Sequence, residues 1–162
     1  VNLPAEKKMM APGYQDIPAE KISTASFAGG SARVIAGDFE GVHGPAQPQI
    51  PIRLMDVRLE AGTEWTVAPA DGNDLFMCVY EGRVRAPDSE GHLHEVPAPG
   101  VAVFGGDGTV TITAGAEGAD VLYCEGEPIR EPVEKYGPFV MNTRDELQQA
   151  VDDFNAGKLA VG

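Results

Sequence analysis

Positive charge is scarce in this chain of 162 residues, where 12 Lys and Arg stand against 25 Asp and Glu for a formal net charge of −13. A surface this acidic repels a phosphate backbone and excludes direct nucleic-acid binding unless one face is locally basic. Arg53, Arg58, Arg83, Arg85, Arg130 and Arg144 are scattered, with no run or stripe. Cysteine is scarce too, at two residues, Cys78 and Cys124. A disulfide framework needs more of them and a secretory context, so both are expected as reduced core thiols of a cytoplasmic protein. Their spacing leaves a meeting across a sandwich open. No apolar run approaches the roughly 20 residues that span a bilayer, and no signal-peptide core opens the chain, so no membrane partner is expected. The first residue is Val1, not Met, which reads as a processed chain or a fragment.

What is abundant is Gly, at 20 residues, and Pro, at 13, within a composition that is 43% hydrophobic. That mixture predicts one turn-rich, β-dominated domain with a sizeable core. Residues 1–30 open on the Pro-punctuated "VNLPAEKKMMAPGYQDIPAEKI" and read as an extended lead-in. A strand, "SARVIAG", and a Gly- and Pro-rich loop follow. In "MDVRLEAG", Met55, Val57 and Leu59 alternate with Asp56, Arg58 and Glu60, the pattern of a half-buried strand. The continuous apolar run in "LFMCVYEG" predicts a strand covered on both faces. "GRVRAP", "HLHEV", "GVAVF", "TVTITA" and "ADVLYCEG" continue at short, even spacing, the signature of a sandwich or barrel over residues 31–126.

Residues 127–162 change character. A Pro-rich arm, "YGPFVMNT", leads into a helix whose capping box is Thr143 and Glu146, with Asp145 at the positive end of the dipole. Leu147, Ala150, Val151 and Phe154 share one face at helical spacing, and Gly157 is a natural stop. The predicted class is therefore all-β with one short C-terminal helix.

The most informative segment is 62–82. Cupin barrels hold a metal with G-x5-H-x-H-x4-E-x6-G and P-x-G-x2-H, whose ligands converge inside the barrel and leave positions open for oxygen chemistry. Here every gap of the first motif fits, from Gly62 through Ala68, Ala70 and Leu75 to Gly82, and every ligand is gone. The second motif lands on "APGVAV", with Ala98 in place of the usual Pro and Val103 where the His belongs. The expectation is a cupin-type β-sandwich, or double-stranded β-helix barrel, whose metal site is filled with apolar side chains.

"GEPIREPVEKYGPFVMNT" resembles the C-terminal signature of the pirin family, and "VNLPAEKKMMAPGYQDI", "PIRLMDVRLEAG" and "VYEGRV" match that family's second half. Pirins are bicupins, and the resemblance implies that this chain is the C-terminal cupin alone. The iron-type divalent metal, the quercetin 2,3-dioxygenase activity and the redox or transcription co-regulator role would then depend on an N-terminal cupin that these residues do not contain. It also implies that the arm packs on the barrel or a partner domain through Tyr136, Phe139, Leu147 and Phe154. The expected partner is that N-terminal half or, in its absence, a second copy forming a dimer, with protein partners beyond.

His92 and His94 in "GHLHEV" form a metal-like pair that lacks a placed third ligand, His43 being the nearest candidate by type; a solvated hairpin is the expectation. Trp65, Phe76, Tyr80 and Phe104 read as core aromatics or as a flavonoid-sized pocket, the latter fitting a stand-alone binding module for a small apolar ligand. Glu60, Glu64, Asp71 and Asp74 read as a solvated rim, and "FGGDG" as a hairpin turn.

Overall fold

The computed structural model describes residues 2–11, 13–105 and 108–158. The chain divides into two compact units, Asp16–Pro128 on one hand and Val1–Gln15 with Ile129–Gly162 on the other. In the first unit, β1 (Thr24–Phe27) turns into β2 (Gly30–Ala36), and a small hairpin of β3 (Asp38–Phe39) and β4 (Val42–His43) follows. The lead-in thus contributes a strand of its own, with Ala25 buried. Next come β5 (Ile52–Leu59), β6 (Glu64–Val67), β7 (Asp74–Pro87), β8 (Leu93–Pro97), β9 (Gly100–Phe104) and β10 (Val110–Gly126).

Apart from the β3–β4 hairpin, which is a two-stranded sheet of its own, these strands form one antiparallel sheet in the order β1-β2-β5-β10-β7-β8, with β6 added on β10 and β9 on β7. The long strands β7 and β10 pair with each other, and each also takes two further strands in succession along its length, β9 and β8 on β7 and β6 and β5 on β10, which curls the sheet around a single core. The alternation read in β5 is obeyed: Met55, Val57 and Leu59 are buried, while Arg58 is exposed. Trp65 sits at the centre of an aromatic cluster, stacked on Phe27 at 5.7 Å and edge-on to Phe39 and Tyr123.

Two pairs of expected strands are fused. "LFMCVYEG" and "GRVRAP" are one 14-residue strand, and "TVTITA" and "ADVLYCEG" one 17-residue strand. The glycines at which turns are expected bend the strands without ending them. Gly82 has φ 69°, and a Cβ there would come within 2.2 Å of the Gly118 carbonyl oxygen. Gly118, at φ 83°, lies in the bulge where the register between β7 and β10 slips after Ala114. Only a residue without a side chain lets the two backbones meet so closely.

The cysteines differ from expectation in position. Cys78 stands opposite Leu122 and Cys124 opposite Phe76, so the two share one face of adjacent strands as diagonal neighbours. Both are free and half-buried on the face turned away from the core, not core thiols and not facing each other across a sandwich. Burial, with Cys78 nearby, pushes the Cys124 thiol up to about 11.

The second unit carries a 3-10 turn (Ala5–Lys7), β11 (Glu134–Tyr136) paired with β12 (Phe139–Met141), and α1 (Arg144–Asn155). The capping box forms as the spacing requires. The Thr143 Oγ1 accepts from the Glu146 N–H at 3.3 Å, and the Glu146 carboxylate accepts from the Thr143 N–H at 2.8 Å. Asn142 explains part of the signature run before it: its side-chain amide donates to Glu131 at 2.8 Å, and the same Glu131 oxygen accepts from the Ala5 N–H at 2.7 Å. The glycine-proline arm and the first residues of the chain are thereby tied together. The 104–108 turn lies partly outside the described residues.

No helix of the described residues is long and apolar enough to cross a membrane.

Candidate functional site

The polar centre of the barrel is built from charges that sit on the inward phase of their strands. On β10, Val121 and Tyr123 are fully buried, and Glu125 continues the same period-two series at 5% exposure. On β5, Arg53 is in phase with Met55 and Val57, and the register sets Arg53 directly opposite Glu125. An isolated carboxylate would not tolerate this burial, so its partners decide whether the arrangement is stable.

Glu125 has a full set of partners. One carboxylate oxygen accepts from the Arg53 guanidinium, at 2.8 Å from Nε and closely from Nη2, and from the Tyr123 hydroxyl at 2.6 Å. The other oxygen accepts from the Ala70 N–H at 2.7 Å and the Asn73 side-chain amide at 2.8 Å. Arg53 also donates to the Ala68 carbonyl at 2.8 Å and lies over the Tyr123 ring, 5.3 Å from its centroid. Burial works against the charged form of Glu125, but the bonds from Tyr123, Ala70, Asn73 and Arg53 outweigh it and hold the carboxyl below the usual glutamate range. The Tyr123 phenol is pushed up by burial and by its bond to Glu125. With five donors on two oxygens, this carboxylate has no free lone pair for a metal or for general-base work. Chemically the cluster is a clamp: it pins the 68–73 loop to the barrel wall through main-chain groups of Ala68 and Ala70.

Those two alanines belong to the emptied cupin frame, which the structure does not gather in one place. Ala68 and Ala70 are exposed on the loop, Leu75 is buried in the core, and Val103 is 78% exposed on the outer side of β9. The interior is therefore filled by Leu75 among these four, not by all of them. On β9 the neighbouring Phe104 packs on the core, so counting from Gly100 lands on the outer phase of that strand. An iron-type metal finds no donor set at these positions, whose side chains carry no ligating atom. Among the described residues, no group of three or more His, Cys, Asp and Glu could hold a metal ion.

His92 and His94 lean on a residue that the spacing did not suggest. The Nε2 of His94 is 2.8 Å from Asp88, and His92 approaches Asp88 at 3.5 Å and Glu90 at 3.6 Å, all on an exposed hairpin tip. His94, with the backbone N–H groups of His92 and Glu90, holds the Asp88 carboxyl below its ordinary value. His43 pairs instead with Asp38 at 2.9 Å on the β3–β4 hairpin. The four aromatics also separate: Trp65 and Phe104 belong to the core side, whereas Phe76 and Tyr80 stand on the outer face of β7. Glu60, Glu64, Asp71 and Asp74 are all exposed. In the second unit, Leu147 is buried and Phe139 half-buried, while Tyr136 and Phe154 are exposed; Phe154 meets Phe139 edge-on at 5.9 Å.

Sequence reasoning missed Arg53, Asn73, Tyr123 and Glu125. The signal was there, since Arg53 and Glu125 are lone charges on the apolar phase of "PIRLMDV" and "DVLYCEG".

Comparison with known proteins places this architecture. Residues 54–160 match the model of the Pirin C-terminal cupin domain. A Pirin-like protein of Caulobacter vibrioides is 39% identical over 98% of this chain and 56% of its own length. Human Pirin is 30% identical over 98% of this chain and 54% of its own. The crystal structure of quercetin 2,3-dioxygenase from Acinetobacter baumannii superposes with a TM-score of 0.88 at 34% identity, covering 98% of this chain and 55% of that one. The chain spans little more than half the length of these relatives. By sequence and by fold it belongs to the pirin family, of which it is the C-terminal cupin half.

Proposed function

We propose that this chain is the supporting half of a pirin-family protein whose metal chemistry, of the quercetin 2,3-dioxygenase type, resides in the N-terminal cupin. One observation carries the reading. The positions that supply metal ligands in a cupin frame hold Ala68, Ala70, Leu75 and Val103, and Glu125, the buried carboxylate on the inward phase of β10, is saturated by Arg53, Tyr123, Ala70 and Asn73. The polar chemistry of this cluster holds a loop, and its carboxylate is not free to bind a metal or to act as a base. Likeness to the Acinetobacter dioxygenase supports the reaction class for the whole protein.

The test is metal content and turnover together. The purified chain, exposed to iron, zinc and manganese and then desalted, is expected to retain far less than one equivalent by elemental analysis and to leave quercetin unchanged. A stoichiometric metal that is lost on His92→Ala or His94→Ala would overturn the reading and make this half a metal protein itself.

A further inference from the structure

Cys78 and Cys124 are the only thiols of the chain, and strand register fixes how far apart they stand. Cys78 faces Leu122 across the β7–β10 ladder and Cys124 faces Phe76, so the cysteines are diagonal neighbours on one outer face. Diagonal residues of an antiparallel pair lie about 7–8 Å apart, with their Cβ atoms somewhat nearer. That is too far for a disulfide, whose Cα atoms stand at most about 6.8 Å apart. It suits a bridge of two metal–thiolate bonds of about 2.3 Å each, which spans about 4.6 Å between the sulfurs when the bonds lie in line.

The neighbours narrow the choice of metal. Along the ladders, Cys78 is flanked by Leu122 and Val101, and Cys124 by Phe76 and Leu54. None of these four side chains carries a ligating atom. Zinc wants four donors in a tetrahedron and would be left half-coordinated, and hard cations prefer oxygen. Cuprous copper is soft, selects thiolates and is satisfied by two of them in line. Burial, with Cys78 nearby, pushes the Cys124 thiol up to about 11, so at neutral pH it keeps its proton until a cation displaces it. We infer that Cys78 and Cys124 form a two-coordinate site for Cu(I) on the outer face of β7 and β10. Binding breaks two S–H bonds and makes two S–Cu bonds; both protons go to solvent, and copper stays cuprous. Both thiols are half-buried, so an ion arriving at the surface reaches them without opening the core. The site uses none of the cupin-frame positions Ala68, Ala70, Leu75 and Val103, and it stands independently of the supporting-half reading.

The test is competition for Cu(I) under reducing, oxygen-free conditions, with bathocuproine disulfonate as the chelator. The chain is expected to hold one equivalent against the chelator while remaining a monomer in light scattering. Cys78→Ser and Cys124→Ser should each lose that equivalent, whereas His92→Ala and His94→Ala should keep it. An excess of zinc should not displace it. X-ray absorption of the copper-loaded wild-type chain reads the coordination without any substitution and should show two sulfur neighbours in line. Failure to retain copper, retention by either serine variant, copper held through a single sulfur, or copper held only between two chains would each overturn the assignment. Retention of iron or manganese in the elemental analysis reports separately on the supporting-half reading, which a cuprous site leaves untouched.

Discussion

Two carboxylates in this protein each gather several donors, and they teach opposite lessons. Asp88 collects its partners from within six residues, on an exposed hairpin tip: the N–H groups of Glu90 and His92 and the ring of His94. Glu125 is buried and draws on Arg53, Ala70 and Asn73, which lie 72, 55 and 52 residues away, as well as on Tyr123 beside it. Both carboxyls titrate below their ordinary values. Around Asp88, water competes for every bond and salt screens the charges, so the hairpin is ordered without the fold depending on it. Around Glu125, whose side chain is 3% exposed, bulk solvent has little access, and any lost partner leaves a buried charge or donor unsatisfied.

The largest effect that would break this contrast is at the clamp. Arg53→Ala is expected to cost about 3–5 kcal/mol of unfolding free energy, because it strands a buried carboxylate, and denaturant titration reads it directly. A loss no larger than that of a surface substitution would place the clamp with the hairpin. The pH dependence follows with a definite sign. Since the folded Glu125 carboxyl lies below its unfolded value of about 4.3, its stabilisation is fully present above that pH. It is lost as pH falls through the lower folded value. Melting temperatures between neutral pH and acid should drop less steeply in Glu125→Gln, which starts less stable. Asp88→Asn tests the other side, and whatever acid dependence it removes should fade in high salt.

Tyr123→Phe comes next, removing one donor to a charged acceptor while keeping the ring against Arg53, for an expected loss of about 1.5–3 kcal/mol. Smaller again is Thr143→Ala at the helix cap, about 1 kcal/mol, read as lost helicity or faster amide exchange in α1. At the bottom of the scale, His94→Ala is expected to leave the melting temperature unchanged. A clear drop there would show that the exposed cluster matters to the fold after all.

Much of this was legible in the chain. The alternation of Met55, Val57 and Leu59 with charged residues, and the three-residue spacing of Thr143 and Glu146, are local rules that need no knowledge of the rest of the molecule. The strand ends were less legible, because a glycine that ends a strand and one that bends it look alike until the opposing backbone is in place, as Gly82 and Gly118 show. The candidate site was read through the spacing of a cupin frame, which located the segment but misjudged where its positions point: Val103 faces out while Phe104 meets the core.

By itself, then, the sequence determined the β-rich class, the capped helix and the absence of metal-ligating side chains along the cupin frame, since each follows from residue type and short-range period. Tertiary structure decided the rest. The pairing of Arg53 with Glu125, the saturation of that carboxylate by a distant loop, and the placing of Cys78 and Cys124 on one outer face all depend on strand register. Register is a cooperative property of the whole sheet, because a slip of one residue exchanges the buried and exposed faces of a strand.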